Sequence, residues 1–173
     1  MLRKPRALIL DLDQTLVDSR CAKALRSERR WAEVRTLIPR FVLAPGVLEL
    51  SALSDIQLAV VTKSPSNYAR AVLDHFGIRS DALVAYHDCP QQKPHAAPTL
   101  KALALLGVQP RDAWAAGDHA DDLVSARASG IETLIGVSAW TDSLDELRLA
   151  KPTVTVTHPG EVLALLRSPT IRR

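Results

Sequence analysis

Six short apolar runs punctuate the chain: residues 6–11 (RALILD), 56–62 (IQLAVVT), a weaker one at 82–86 (ALVAY), 113–116 (AWAA), 132–137 (ETLIGV) and 153–157 (TVTVT). Each reads as a strand. Between them lie segments with helical spacing. Residues 47–53 follow Pro45-Gly46. Residues 66–76 stop at Gly77, and 98–106 stop at Gly107 with Pro110 just beyond. Residues 121–129 stop at Gly130, and 159–166 precede a polar, basic tail. Glycine after the last periodic residue is a helix stop. Strand and helix alternating in this way predict an α/β fold with a mainly parallel sheet and helices on both faces. Only residues 19–43 break the alternation; this basic segment reads as helical from Cys21 to about Leu37, limited by Pro39.

In a parallel α/β sheet, ligands bind beyond the carboxyl ends of the strands. Chemistry-bearing residues cluster at those positions here. The first strand runs into Asp11-Leu12-Asp13-Gln14-Thr15. Two carboxylates two residues apart point the same way if strand geometry persists. Such a pair can bind a divalent metal, divide nucleophilic and acid/base work, or simply cap the next turn. The second strand ends in Thr62-Lys63-Ser64, a hydroxyl followed by backbone N–H groups that suit phosphate oxygens. Ser64 before Pro65 also fits a helix cap. Lys93-Pro94 follows the third strand and could place a fixed positive charge over an anion. The fourth strand ends in Gly117-Asp118-His119-Ala120-Asp121-Asp122. Acids in a helix's first turn complement its dipole, which accounts for Asp121 and Asp122 but not for three acids after one strand. Oxygen ligands facing Asp11 and Asp13 suit Mg²⁺.

Taken in order, D-x-D-x-T, Thr-Lys, Lys-Pro and GD-x-x-x-D all fall at the ends of consecutive strands. On these motifs the chain resembles the haloacid dehalogenase (HAD) superfamily of phosphohydrolases from about Ala7 to Leu166, with a Rossmann-like, three-layer fold implied. The resemblance implies that Asp11 attacks phosphorus and forms an aspartyl-phosphate, while Asp13 serves as general acid and then base. It implies Mg²⁺ held by Asp11, the backbone carbonyl of Asp13, Asp118 and the second acid of the last motif. By spacing that acid is Asp122, acting directly or through water, with Asp121 as the alternative. Thr62 and the Lys63 amide would bind phosphoryl oxygens, and Lys93 would orient Asp11. An acid at position 13 is similar to the phosphatases. The dehalogenases lack it, and the transport ATPases carry threonine there. His119 stands where relatives often have serine or threonine, and reads either as a neighbour of the metal's water shell or as a solvent-facing helix start.

Length then matters. The chain has 173 residues, enough for one domain. Similar proteins of the phosphoglycolate phosphatase-like group carry a helical cap after the first motif. Here only residues 19–43 remain for one, so the reading is a single domain, 1–173, with a minimal cap inserted at 19–43. This insert holds Arg20, Lys23, Arg26, Arg29, Arg30, Arg35 and Arg40 against Glu28 and Glu33, whereas the whole chain carries a net charge of only +3. Trp31, Val34, Leu37 and Ile38 give it an apolar stripe suited to packing on the core or to a dimer. The favoured substrate is a small phosphorylated metabolite. A nucleic-acid end or phosphoprotein at an open site is the alternative, and no stacking pattern of a nucleic-acid binder is evident. A non-catalytic binding module would be marked by loss of the acids, which are all present. A monomer or homodimer is expected.

Composition narrows the setting. Apolar residues at 47% and charged residues at 24% exclude a disordered or fibrous chain. Cys21 and Cys89 form no paired motif and read as reduced thiols, Cys89 structural. No apolar run nears the roughly 20 residues that span a bilayer, and the start lacks signal-peptide features. The expectation is a cytoplasmic protein.

Overall fold

A computed structural model describes residues 2–167, so the basic tail beyond them lies outside the described residues. Among the described residues there are eight strands: β1 (Ala7–Leu10), β2 (Val17–Asp18), β3 (Val42–Leu43), β4 (Gln57–Val61), β5 (Ala82–Val84), β6 (Ala113–Gly117), β7 (Thr133–Val137) and β8 (Val154–Val156). Eight α-helices accompany them: α1 (Lys23–Ser27), α2 (Trp31–Thr36), α3 (Val47–Ser51), α4 (Ser66–Phe76), α5 (Ala97–Leu106), α6 (Ala120–Ala128), α7 (Leu144–Leu149) and α8 (Val162–Arg167). The six apolar runs become one parallel sheet in the order β5-β4-β1-β6-β7-β8.

Side-chain alternation builds the layers. Successive residues of a strand point to opposite faces. Leu8 and Leu10 of β1, Leu58 and Val60 of β4, Trp114 and Ala116 of β6, and Ile135 and Val137 of β7 enter one core. Tyr68, Val72 and Leu73 of α4, Leu50 of α3 and Val162 of α8 cover that face. The intervening residues, Ala7, Ile9, Ala59, Val61, Ala113, Ala115 and Leu134, enter the other core against Leu103 and Leu106 of α5 and Leu123 and Ala126 of α6. Both faces are apolar and both are covered, which is the three-layer Rossmann-like sandwich. Helix α4 ends at Gly77, whose φ of 67° lets Ile78 N–H reach back to the Leu73 carbonyl at 2.9 Å.

Strand β1 is central. It pairs in parallel with β4 on one side and β6 on the other. Chain order reverses across it, since β4 and β5 lie to one side and β6 to β8 to the other. The carboxyl end of β1 is therefore the topological switch point, where a crevice opens.

The insert, read as helical from Cys21 to about Leu37, folds as two short helices within that span. Strands β2 and β3 pair antiparallel, Val17 with Leu43 and Asp18 with Val42, and so bracket residues 19–41. Between them two short helices, α1 and α2, are separated at residues 28–30, where Arg29 takes a left-handed φ of 57°. The apolar stripe settles on the core: Val34 and Ile38 are buried, with Trp31 and Leu37 partly so. The Trp31 and Tyr68 rings lie 5.3 Å apart.

Because Leu10 is buried in the strand that aims Asp11, Leu10→Ala should cost about 2–5 kcal/mol in urea unfolding. Leu149→Ala on exposed α7 should stay within about 0.5 kcal/mol of the parent. Equal effects would contradict this packing.

Candidate active site

Four strand ends meet at the crevice. Asp11 follows β1, Thr62 follows β4, Lys93 follows the loop after β5, and Asp118 follows β6. Asp122 joins them from the first turn of α6. Carboxylate oxygens of Asp11, Asp118 and Asp122 all lie within 4.8 Å of one another. Asp121, one residue earlier, points elsewhere and pairs with Lys63 at 2.9 Å on the surface. Asp122 comes this close because Gly117 has no side chain. A Cβ on Gly117 would stand 2.3 Å from Asp122 Oδ2.

One buried cation holds the cluster together. Lys93 Nζ donates to Asp11 Oδ1 at 2.6 Å, Asp122 Oδ1 at 2.6 Å and the Val61 carbonyl at 2.8 Å. All three ammonium donors are thus used. Burial alone would lower the Lys93 pKa, but Asp11 and Asp122 outweigh it and raise it. The third carboxylate, Asp118, accepts a hydrogen bond from Thr15 Oγ1 at 2.8 Å. Thr15 belongs to the first motif, so its side chain ties two strand ends together.

One ammonium does not neutralise three carboxylates. Burial pushes the Asp11 pKa up to about 7, with Lys93 pulling down and Asp122 pushing up. Burial, then Asp11 and Asp122, push Asp118 up to about 9. All the donors are oxygen, which suits a hard divalent cation, and such a cation would relieve the repulsion directly.

Asp13 lies outside this cluster, its carboxylate turned toward the insert. Oδ1 accepts from Ser19 Oγ at 2.5 Å and Tyr68 Oη at 2.6 Å, and pairs with Arg26 at 2.7 Å. Oδ2 accepts from Ser64 Oγ at 2.8 Å. Ser64 therefore serves Asp13, and Pro65 takes the cap position of α4. Sequence reasoning missed Ser19, Arg26 and Tyr68. Their only signal is that polar groups beside an acid become meaningful once the fold brings them together. The backbone N–H of Ser64 donates to Thr62 Oγ1 at 3.1 Å, closing a tight turn after β4. His119 is half-exposed and caps α6, its Nδ1 accepting from Asp121 N–H at 3.2 Å. Trp140 packs against the core and against His158 at a ring distance of 5.3 Å. Cys89 packs against the second core.

The carboxylates, Lys93, Thr62, Ser64 and His119 line a cavity of about 450 Å³, which Trp140 and Cys89 do not reach. Asp11, Asp118, Asp122 and Lys93 form its floor. Arg26, Arg29 and Trp31 of the insert and Tyr86 and His87 of the loop after β5 form its walls.

Residues 32–136 match the sequence profile of the family described as haloacid dehalogenase-like hydrolase. The chain belongs to this family. The matched stretch contains Thr62, Lys93, Asp118 and Asp122, while Asp11 and Asp13 precede it. The HAD chain is 32% identical to a phosphoglycolate phosphatase of Chromobacterium violaceum over 57% of its own length and 47% of the relative's. It is 29% identical to phosphoglycolate phosphatase 1 of Pseudomonas aeruginosa over 50% and 34% of the two chains. The chain thus spans less than half the length of these relatives. Solved structures with the same fold include a HAD-superfamily hydrolase of subfamily IA from Geobacter sulfurreducens. Its TM-score is 0.72 at 21% identity, over 94% of this chain and all of that one (100%). CbbY from Rhodobacter sphaeroides in complex with phosphate has a TM-score of 0.75 at 19% identity, over 91% and 96%. Among the described residues no helix is long and apolar enough to cross a membrane.

Asp11 and Asp118 hold protons in the folded state at pH values where the unfolded chain, with carboxyls near 3.8, has lost them. The unfolded state binds fewer protons there, so metal-free stability should fall as pH rises from about 4 to about 9. Divalent cation should therefore raise Tm more at about pH 8.5 than at about pH 5 in thermal unfolding with and without chelator. An equal shift at both pH values would contradict the cluster's electrostatics.

Proposed function

We propose that this chain is a Mg²⁺-dependent phosphatase that hydrolyses a small phosphate monoester through an aspartyl-phosphate on Asp11. The observation that carries the reading is the meeting of Asp11, Asp118, Asp122 and Lys93 on the floor of one cavity. Three largely buried acids, two of them paired with Lys93 and the third with Thr15, cost stability, and a phosphoryl-transfer site has a use for each of them.

In this reading Asp11 supplies the nucleophile. Its carboxylate oxygen forms a bond to phosphorus as the ester P–O bond breaks, and the departing oxygen takes a proton from Asp13. Water then attacks the aspartyl-phosphate, giving its proton to Asp13 and releasing phosphate. Thr62 and the Lys63 amide sit at the end of β4, where they would donate to phosphoryl oxygens. Lys93 orients Asp11 and offsets charge on the phosphoryl group. The residues that would hold Mg²⁺ are Asp11, Asp118 and Asp122, with the backbone carbonyl of Asp13. When bound, the ion supplies positive charge that lets a phosphate dianion approach these carboxylates.

The segment 19–43 acts in this account as a minimal cap over the crevice. Cavity size favours a small ester, and the relatives named phosphoglycolate phosphatase point the same way. An anionic polymer read by the insert's arginines is the competing substrate class.

Asp11→Asn should reduce Mg²⁺-dependent hydrolysis of p-nitrophenyl phosphate to background, with the fold retained by circular dichroism. Full activity in that variant would overturn the mechanism. A panel of phosphorylated metabolites, run beside oligonucleotides phosphorylated at the 3′ or 5′ end, should favour the metabolites. Preference for the oligonucleotides would reverse the substrate assignment.

A further inference from the structure

Phenylalanine, tyrosine and tryptophan are few in this chain, and nearly all of them pack into the fold. Trp31, Phe41, Tyr68, Phe76, Trp114 and Trp140 sit in or against one core. Tyr86 is the remaining one, and among the described residues it joins neither core. It lies instead on the wall of the cavity that holds Asp11, Asp118, Asp122 and Lys93, and it is 37% exposed. A large ring left partly in water forgoes the gain of full burial. Its place at the site, outside the insert, therefore asks for a reason other than packing.

The loop that presents Tyr86 is held by its own hydrogen bonds. Tyr86 N–H donates to the Ser64 carbonyl at 3.0 Å, which fixes it beside the turn after β4. Asp88 Oδ2 accepts from Ala85 N–H at 2.7 Å, and Asp88 N–H returns to the Ala85 carbonyl at 3.0 Å. Gln92 Nε2 donates to the Tyr86 carbonyl and, at 3.0 Å, to the Cys89 carbonyl. Lys101 of α5 donates to the Asp88 carbonyl at 2.6 Å. The His87 ring stands edge-on to Tyr86, with centroids 4.9 Å apart. These contacts tie down the backbone under the ring while more than a third of the residue stays in solvent. A surface already ordered in this way loses little freedom when a ligand lies on it.

We propose that Tyr86 is a specificity-determining residue that stacks on a planar aromatic ring in the leaving group, so that the preferred substrates are phosphate monoesters of ring-bearing alcohols such as nucleosides. The proposal rests on the phosphatase reading above, since the floor must hold the phosphoryl group while the ring lies against Tyr86. A cavity of about 450 Å³ falls within the range of sites that enclose a ligand of that size. Stacking tolerates any base, because every base has a π face. Tyr86 therefore separates a ring from no ring, and not one base from another.

The test compares adenosine and uridine 5′-monophosphates with ribose 5-phosphate, which keeps the sugar and the ester but lacks the base. p-Nitrophenyl phosphate serves as a general ester. The readout is the ratio of kcat/KM for nucleotide over ribose 5-phosphate within each variant, which cancels any loss of folded protein. The parent should favour both nucleotides by at least about tenfold, and Tyr86→Ala should lower the ratio by at least about fivefold. Tyr86→Phe keeps the ring and should stay within about twofold of the parent. Leu105→Ala removes an exposed side chain of α5 outside this cavity and should keep the parent ratio. A ratio unchanged by Tyr86→Ala, an equal fall in Tyr86→Phe, or a parent that turns over ribose 5-phosphate as well as the nucleotides would overturn the proposal while leaving the phosphatase reading intact. So would hydrolysis of p-nitrophenyl phosphate alone. A parent that hydrolyses none of these esters would overturn the phosphatase reading and this one with it.

Discussion

The site depends on one buried ammonium. Lys93 bridges Asp11, at the end of β1, and Asp122, in the first turn of α6, while Asp118 stands within reach of both. Like charges at this separation in a low-dielectric interior repel strongly. Burial first, and the neighbouring carboxylates after it, raise the pKa values of Asp11 and Asp118. The surrounding architecture holds the repelling groups in place. A central strand buried on both faces aims Asp11, a glycine admits Asp122, and Thr15 pins Asp118.

The insert is the second organising feature. It is short, yet it is not a loose loop. The β2–β3 pairing closes its base, and Val34, Ile38 and Trp31 anchor it on α4 through Tyr68. Tyr68 in turn donates to Asp13. Burial and the neighbouring Asp13 carboxylate raise the Tyr68 pKa, so its hydroxyl stays a donor at any physiological pH. One aromatic side chain thus connects the packing of the insert to the carboxylate it overlooks.

The sheet was legible because each of its strands is a buried apolar run, and helix ends were legible where glycine follows the last turn. Two-residue strands such as β2 and β3 carry no periodic signal, and α7 buries only Leu147 within the helix. The insert reads as helical from Cys21 to about Leu37, with no residue that marks where one helix ends and the next begins. It breaks at Arg29, whose left-handed backbone nothing in its side chain announces. The acids and Lys93 could be brought to one place from sequence because parallel strands deliver their ends to one edge. The partners of Asp13 could not. Ser64 reads as a cap, Arg26 is one of seven basic residues of the insert and Tyr68 carries no signal of its own, and only folding turns all three onto one carboxylate.

The central claim is that these strand ends form a covalent phosphoryl-transfer site with Asp11 as acceptor. Acid-quenching the protein during turnover of a phosphate ester with Mg²⁺, followed by peptide mass mapping, tests it most directly. The account predicts one hydroxylamine-labile phosphoryl group on the peptide that carries Asp11, absent when Mg²⁺ is chelated. Turnover with phosphate on another residue, or with no phosphorylated peptide at any quench time, would contradict it.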